Sequence, residues 1–577
     1  MTLMRVWAPH AATVELVCGE RVEPMTRGDD GWWSVVAPFV EHGVEYAFVL
    51  DGEGPLPDPR SAWQPEGVHG PSRWLDHGRF RWTDDGWRAP PLASAAIYEL
   101  HVGTFTRAGT FEAAIERLDH LVELGVTHVE LTPVAEFAGT RGWGYDGVDL
   151  YAPHHAYGGP EGLKRLVDAC HRRGLAVVLD VVYNHLGPDG NYLGRFGPYF
   201  TDRYVTPWGD AVNVDGPESD EVRRFFLDNA LMWFRDYHLD GLRIDAVHAI
   251  VDASAVHLLE QLAAEVEVLE GELGRPLALI AESDLNDPRV VRARAVGGYG
   301  LTAHWNEDFH HALHALLTGE RDGYYQDYGR LADLAKVLTQ GYAYDGTYST
   351  HRRRRHGRPA TGLSGRQLVG CLQNHDQIGN RALGERTSQL LSPGLLRIGA
   401  ALVLTGPFVP MLFQGEEWGA STPFLYFTDH ADPDLAQAVR RGRSEEFAAF
   451  GWSPDDIQDP QAEATFDRSQ LDWDERQRSP HAAILDWHRA LLALRRRLPS
   501  LSDDRLERVS VRYDEAARWL IVTRGAVRVV CNLHEQRQSI PCPTLGVADL
   551  ALCSDEHVAL ERDAVSLAGH AVAVVVC

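Results

Sequence analysis

Apolar and polar positions follow three successive rhythms along this chain. Over the first fifty residues the runs are short: Met4–Ala8, Thr13–Cys18, Trp32–Ala37 and Glu45–Leu50, separated by Pro, Gly and Asp. Runs of that length between turn-forming residues predict the strands of a small β-sandwich. From Asp51 to Pro91 a stretch rich in Pro, Gly and Trp has no sustained period, and it reads as a connector packed against the next domain. From Ala95 the rhythm changes. Phe111, Ile115, Leu118 and Val122 recur at helical spacing behind a capping Thr110, and Val126–Leu131 then reads as a buried strand. The unit repeats: Leu163, Leu166, Val167 and Cys170 lead to Leu175–Val182; Val222, Phe226 and Leu231 lead to Gly241–Asp245; a further helix leads to Leu277–Glu282. The apolar runs Leu368–Leu372, Ala401–Leu404 and Val409–Phe413 carry the strand count toward eight. Alternating helix and strand implies a parallel sheet, and eight such units close into a (β/α)8 TIM barrel, an α/β fold whose site lies at the carboxyl ends of the strands. After a helix around His481–Arg497, Pro499 stops the helical period, and alternation returns in Val509–Arg512, Trp519–Thr523 and Val527–Asn532.

Length agrees with that partition. At 577 residues the chain exceeds what one core can organise, since single cores stop growing near ~250–300 residues. The expected division is an N-terminal β-sandwich and linker over 1–90, a catalytic barrel with insertions over 91–498, and a small C-terminal β domain over 499–577. No stretch supplies the ~18 or more apolar residues of a membrane span, and the opening Met1–His10 lacks the apolar core of a signal peptide. A cytoplasmic location is therefore expected, with no membrane partner. The seven cysteines are scattered without a Cys-x-x-Cys pair and read as free thiols. A formal charge of −27 repels phosphate backbones, which argues against nucleic acid and leaves a neutral ligand such as a sugar easier to accommodate. The one basic run, Arg352–Arg355, reads as a solvated loop.

The chemistry sits where apolar runs end in polar residues. Leu175–Leu179 ends in Asp180 and continues to Asn184 and His185; Gly241–Ile244 delivers Asp245; Leu277–Ala281 delivers Glu282; Leu368–Leu372 delivers Gln373, Asn374, His375 and Asp376. Ionised groups at strand ends facing a packed interior are costly unless partnered or functional. One such acid is more often a salt-bridge partner or a cap, but four in order on one barrel converge on one mouth. Carboxylates gathered with an arginine and histidines suit glycoside hydrolysis, in which one carboxylate attacks the anomeric carbon and a protonated one serves the leaving oxygen. Arg243 lies two residues before Asp245, on the same strand face, where its charge keeps that aspartate ionised. Glu282, among other acids and partly buried, is the expected acid/base group.

The stretches Asp180–His185, Gly241–Asp245, Ala281–Glu282 and Asn374–Asp376 resemble, in order, the four signature regions of the α-amylase superfamily, over about Ala95 to Leu498. That resemblance implies a retaining mechanism with Asp245 as nucleophile, Glu282 as proton donor and Asp376 as transition-state stabiliser. It also implies that His185, Arg243 and His375 bind the sugar at the cleavage point. Trp143-Gly144-Tyr145-Asp146 is similar to the family's aromatic platform, with Tyr145 stacking on a glucose ring. The closer resemblance is to the malto-oligosyltrehalose trehalohydrolases, carried by Pro65–Ser72, Trp305–His314, Gln373–Arg381, Tyr348-Ser349 with Arg352–His356, and Gln414–Gly419. It implies cleavage of the α-1,4-glucosidic bond next to the terminal trehalose of malto-oligosyltrehalose, and action in sequence with a malto-oligosyltrehalose synthase. It carries over Asn306, Glu307, Asp308, Phe309 and His310, with His375, Gln377 and Asn380, as substrate-binding. His248 stands where many amylases have Lys-His after the second signature, and it joins the substrate-binding set. Asp308, His310, His311 and His314 have helical spacing compatible with a metal, but no further ligand cluster accompanies them; no cofactor and no required metal is expected. The alternatives are a 1,4-α-glucan (glycogen) branching enzyme, whose last signature usually reads Ser-His-Asp-Glu where this chain has Asn374–Gln377, and a non-catalytic α-glucan-binding protein.

Overall fold

The computed structural model describes residues 2–448, 458–543 and 548–577. Eight parallel strands close into a barrel: β1 (Ile97–Leu100), β2 (His128–Leu131), β3 (Ala176–Val181), β4 (Gly241–Ile244), β5 (Ala278–Ala281), β6 (Ala303–Trp305), β7 (Leu368–Gly370) and β8 (Val409–Phe413). β8 pairs with β1 to complete the ring. The strands are buried on both faces, so they read as apolar runs rather than as alternation. Inside, Ile97, Val178, Ile280, Ala303, Trp305, Val369 and Met411 pack as one cluster. Above this apolar floor the inward positions of β1 to β4 carry Glu99, Glu130, Asp180 and Arg243, all buried.

Two departures from the sequence reading concern this ring. Ala401–Leu404, expected as a strand, is the last turn of the helix Pro393–Leu404. That helix is buried on nearly every side, so its apolar run has no period to separate it from a strand. Its start was nonetheless marked, by the Ser392 hydroxyl accepting from Leu395 N–H and by Pro393 in the first turn. Without it six of the expected strands remain, and β1 and β6 bring the ring to eight; neither stands out in the sequence, β1 because Glu99 interrupts it and β6 because it is three residues long. The helix expected from Phe111 through Val122 is broken into Phe111–Ile115 and Leu118–Leu124.

The N-terminal strands, Leu3–Trp7, Val14–Cys18, Trp32–Val36 and Glu45–Leu50 among them, form antiparallel sheets. Trp7 meets Tyr199 edge to face at 5.4 Å, joining this unit to a barrel excursion. The Trp-rich connector is stapled to the amino-terminal side of the barrel: Trp87 donates to Asp240 at 2.8 Å and stacks on His171, whose two ring nitrogens meet Asp84 and Asp240. At the other end, the sheet containing Val509–Asp514, Trp519–Arg524, Val527–Asn532, Asp549–Cys553 and Ala571–Val576 uses its alternation twice. Leu520, Val522, Val529, Val572 and Val574 join the main core, while Ile521, Val530, Ala573 and Val575 pack with Ile540, Val565 and Leu567 of the second sheet. Arg524 and Arg495 reach under the helix Pro393–Leu404 and donate to the carbonyls that end it, Arg524 to Thr405 and Gly406 and Arg495 to Leu404 and Gly406.

Candidate active site

Asp180, Arg243 and Glu282 come from the carboxyl ends of β3, β4 and β5, and Asp245 follows β4 directly. Register places Asp180 beside Arg243. The fully buried Arg243 guanidinium donates from Nη1 to Asp180 Oδ2 at 2.6 Å and to Asp245 Oδ1 at 2.8 Å, while Nη2 lies 3.8 Å from Glu282 Oε2. Its flat face lies over Trp305 of β6, 4.2 Å from the ring centre, so the cation is fixed from below by a π-face and from the sides by carboxylates. Immediately after Asp245, Ala246 adopts a left-handed conformation, φ 39° and ψ 50°. That conformation costs a non-glycine residue about 1–3 kcal/mol, and it aims the Ala246 N–H at Glu282 Oε2, 2.5 Å away.

The acids are differentiated by their surroundings. Glu282 is pushed well above the usual carboxylate range by burial, and further by Asp245, Asp376 and Glu307, with Arg243 opposing. Asp180 is raised to about 6, by burial and by Asp245, against the pull of Arg243. Glu130, deeper in the barrel, is pushed well above the usual carboxylate range by burial and by Glu99. Side-chain exposure is 12% at Asp245, 15% at Glu282 and 42% at Asp376; two acids are sheltered and the third is open to the cleft.

A second chain of hydrogen bonds closes the floor. His375 contacts Glu99 Oε1 through Nδ1 at 2.5 Å, and its Nε2 is 2.8 Å from the Tyr145 hydroxyl, which donates to Asp180 Oδ2 at 2.6 Å. Burial opposes the charged imidazolium, but Glu99 and Asp376 outweigh it and raise His375 to about 9. The Tyr145 ring lies nearly parallel to that of His375 at 5.1 Å. Its loop needs glycine: Gly144 has φ +98°, and a Cβ there would stand 2.1 Å from the Pro133 carbonyl oxygen. Trp143 beside it covers Gly379 so closely that a Cβ would lie 2.0 Å from the indole.

The structure thus gathers Tyr145, His185, Arg243, Asp245, Glu282, His375 and Asp376. His185 touches the Tyr145 carbonyl at 3.0 Å, and burial lowers its pKa. Glu307 joins them by accepting from Gln377 Nε2 at 2.9 Å; it is raised to about 7, chiefly by burial, and Asp376 adds to this. Asn380 lies 3.4 Å from Asp376 Oδ1 and accepts from Arg443 at 2.9 Å. His248 is exposed beyond Asp245, and its charge helps lower Asp284.

Four of the carried-over residues are occupied by the fold instead. Asn306 caps the helix Glu307–Thr318 by accepting from Phe309 N–H and donates to the Gly341 carbonyl. Asp308 accepts from Asn286, from the Tyr328 hydroxyl and from the Ala343 and Tyr344 N–H groups, so its charge anchors a loop. Phe309 packs on Phe408 in the core, and His310 is buried on the same helix. Only one face of a helix can look into the cleft, and Glu307 takes it. Arg352 is not the solvated residue expected from the basic run: it pairs with Asp284 at 2.8 Å, and His356 meets the Asp284 carbonyl at 2.7 Å.

Residues the sequence reading missed include Glu99, whose signal was an acid inside a short apolar run, and Trp208. Trp208 is 48% exposed in the hairpin joining Phe200–Thr206 to Gly209–Val212, and it stacks on His185 at 4.6 Å with the planes 6° apart.

Three family models match separate parts of the chain. Residues 79–197 match the family model described as Alpha amylase, catalytic domain; residues 1–64 match Carbohydrate-binding module 48 (Isoamylase N-terminal domain); residues 504–574 match a domain of unknown function, DUF3459. A malto-oligosyltrehalose trehalohydrolase of Arthrobacter ramosus is 56% identical over 542 residues, covering 93% of each chain. One from Mycobacterium tuberculosis (strain CDC 1551 / Oshkosh) is 53% identical, covering 94% of each. The crystal structure of a Salmonella typhimurium protein provisionally named an alpha amylase superposes with a TM-score of 0.92 at 38% identity, covering 100% of this chain and 97% of that one. By its barrel, its flanking β domains and this identity over nearly its whole length, the chain belongs to the malto-oligosyltrehalose trehalohydrolase family, glycoside hydrolases of the α-amylase superfamily.

Proposed function

We propose that this protein hydrolyses the α-1,4-glucosidic bond next to the terminal trehalose of malto-oligosyltrehalose, releasing trehalose, through Asp245, Glu282 and Asp376. The observation that carries the reading is the split between two acids beside one guanidinium: Asp245 takes a direct bond from Arg243 at 2.8 Å, whereas Glu282 stands 3.8 Å away and is pushed by burial toward its protonated form. The Asp245 carboxylate attacks the anomeric carbon as the glycosidic bond breaks, and the Glu282 carboxyl gives its proton to the departing oxygen of the trehalose. Glu282, now ionised, then takes a proton from water as the water displaces Asp245, so two inversions leave the anomeric configuration unchanged. Asp376, open to the cleft, offsets the positive charge that develops on the sugar ring. Tyr145 and Trp208 present ring faces to neighbouring glucose units, whose C–H faces are apolar.

The substrate's trehalose end implies a preceding enzyme that converts the reducing end of a maltodextrin to that linkage, a malto-oligosyltrehalose synthase. Among the described residues no helix is long and apolar enough to cross a membrane. The buried free thiols Cys170, Cys371, Cys531 and Cys542 fit a reducing compartment, and we place the enzyme in the cytoplasm.

The test is product analysis with maltopentaosyl trehalose and, separately, with maltoheptaose and amylose. Trehalose from the first, with much slower release of glucose or maltose from the others, supports the reading, as does an α-anomer as the first product seen by NMR. New α-1,6 branches in amylose without trehalose would replace it with a branching activity, and no turnover of any glucan would replace it with glucan binding.

A further inference from the structure

Glu307, His310 and His311 occupy the first and second turns of the helix Glu307–Thr318. Residues three and four apart share a helix face, and one ligating atom from each of these three lies within 4.8 Å of the others. His311 Nε2 stands 3.6 Å from Glu307 Oε2, too far for a hydrogen bond. His310 is 1% exposed, and its one polar contact, a ring N–H toward the Leu372 carbonyl, leaves the other ring nitrogen without a hydrogen-bond partner among the described residues. A buried imidazole nitrogen without a partner is costly, and such a group needs a reason.

We propose that Glu307, His310 and His311 form a binding site for a divalent transition-metal ion of the zinc type, and that the ion inhibits the enzyme by taking Glu307 from the cleft. One carboxylate oxygen and two imidazole nitrogens are the donor set that Zn2+ and Co2+ accept, with water filling the fourth position of a tetrahedron. Metal ligation requires neutral imidazoles. Burial favours them: His310 is lowered well below the ordinary histidine range by burial and by its neighbours His311 and His314, and His311 is lowered to about 3 by burial, His314 and Arg352. The way in is from the cleft, where the side chains of Glu307 and His311 are 14% and 10% exposed. Hard oxygen-seeking cations such as Mg2+ and Ca2+ are excluded, since they require six or more oxygen ligands. The positive end of the helix dipole works against a cation here, which suits a reversible inhibitor rather than a permanently held structural ion.

The link to catalysis is geometric. Glu307 accepts from Gln377, the residue after Asp376, and its charge is one of those that raise Glu282. An ion on Glu307 neutralises that charge and withdraws the acceptor from Gln377, so both Glu282 and the Asp376 turn lose a support. The inhibition rests on the proposed catalytic reading; the metal binding does not.

The test uses the full-length protein, stripped with a chelator and titrated with Co2+, whose visible absorption is strong when tetrahedral and weak in octahedral aquo form. One equivalent with tetrahedral absorption, displaced by Zn2+, is expected, with at least about tenfold weaker binding in His311→Asn and in His310→Gln. His311 is buried against Tyr324, Tyr325 and Tyr328, so thermal melts of both variants are taken alongside, and the affinity is read in the variant that melts as the parent does, which separates loss of a ligand from loss of fold. Weak octahedral absorption, or tenfold-unchanged affinity in a folded His311→Asn, overturns the site. Tetrahedral Co2+ without slower trehalose release overturns the inhibition. If trehalose release itself is absent, the Co2+ spectrum still decides the site.

Discussion

Glu99 holds His375 at two points, the ring Nδ1 at 2.5 Å and the backbone N–H at 3.2 Å. The pairing fixes ring orientation and charge together, so that Nε2 of the protonated ring can donate to Tyr145 while Tyr145 donates to Asp180. Because the folded-state pKa, about 9, lies above the ordinary 6.5, the pairing contributes stability fully below pH ~6.5 and loses it as pH rises through 9. Glu99→Gln removes the charge and keeps the shape. The expected result is a fall of roughly 10- to 100-fold in kcat/KM at neutral pH, with the alkaline limb attributable to His375 moved to lower pH. A pH–rate profile with an unmoved limb would show that His375 does not depend on Glu99 for its charge.

Glu282 makes the opposite kind of contribution. Burial pushes its carboxyl well above the usual carboxylate range in the fold, whereas in the unfolded chain it ionises near pH ~4.3. The native state therefore binds the extra proton, and stability falls as pH rises from about 4.3 toward the raised folded value. Glu282→Gln is accordingly expected to raise the melting temperature at pH 7 to 8 while lowering kcat by about 10²- to 10⁴-fold, the usual worth of a general acid. A glycosyl fluoride needs no protonation to leave, so its cleavage is expected to survive far better than that of malto-oligosyltrehalose. Equal losses on the two substrates would remove Glu282 from the proton-donor role.

Trp208 tests whether the cleft extends past Tyr145. Its ring is laid flat on His185 by the hairpin and keeps one face exposed, and stacking contacts of this kind contribute about 0.5–1.5 kcal/mol. Trp208→Ala is expected to raise KM by about two- to tenfold with kcat nearly unchanged. A series of malto-oligosyltrehaloses of increasing length would show the chain length at which the penalty begins. A fall in kcat alone would place the indole's effect on His185 rather than on sugar.

The strand ends that carry Asp180, Asp245 and Glu282 were legible because a buried parallel strand leaves an uninterrupted apolar run and any acid after it stands out. The same logic failed at β1, where Glu99 faces inward and breaks the run, and at Ala401–Leu404, where a helix buried all round has no polar face to betray its period. The motif Asn306–His310 was legible as a unit, but which of its side chains reached the cleft was not. That depended on Asn306 capping the helix and on Asp308 meeting loop N–H groups some 35 residues further along the chain. Trp208 gave no signal at all, since a lone aromatic in a hairpin turn has the same pattern whether it meets solvent, a ligand or His185.

Arg524 ties the C-terminal sheet to the barrel and offers a stability test away from the site. Its guanidinium donates to the carbonyls of Thr405, Gly406 and Leu501 at 2.8, 2.6 and 3.0 Å, and it also reaches the Asp503 carbonyl. Burial lowers its pKa to about 10, so it remains charged at neutral pH with Asp503 and Asp504 in support. Removing it leaves buried carbonyls unpaired at about 1–3 kcal/mol apiece, partly relieved because Arg495 still reaches Gly406. Arg524→Ala is expected to cost about 3 kcal/mol, seen as a lower melting temperature with the first loss of structure in the C-terminal sheet. Hydrogen exchange would locate that loss in Val527–Asn532 and Ala571–Val576. The residual folded enzyme is expected to keep its KM, because none of the Arg524 contacts touches the residues around Arg243. A changed KM in the folded fraction would mean that the packing of the C-terminal domain sets the geometry of the cleft, not only the stability of the barrel beneath it.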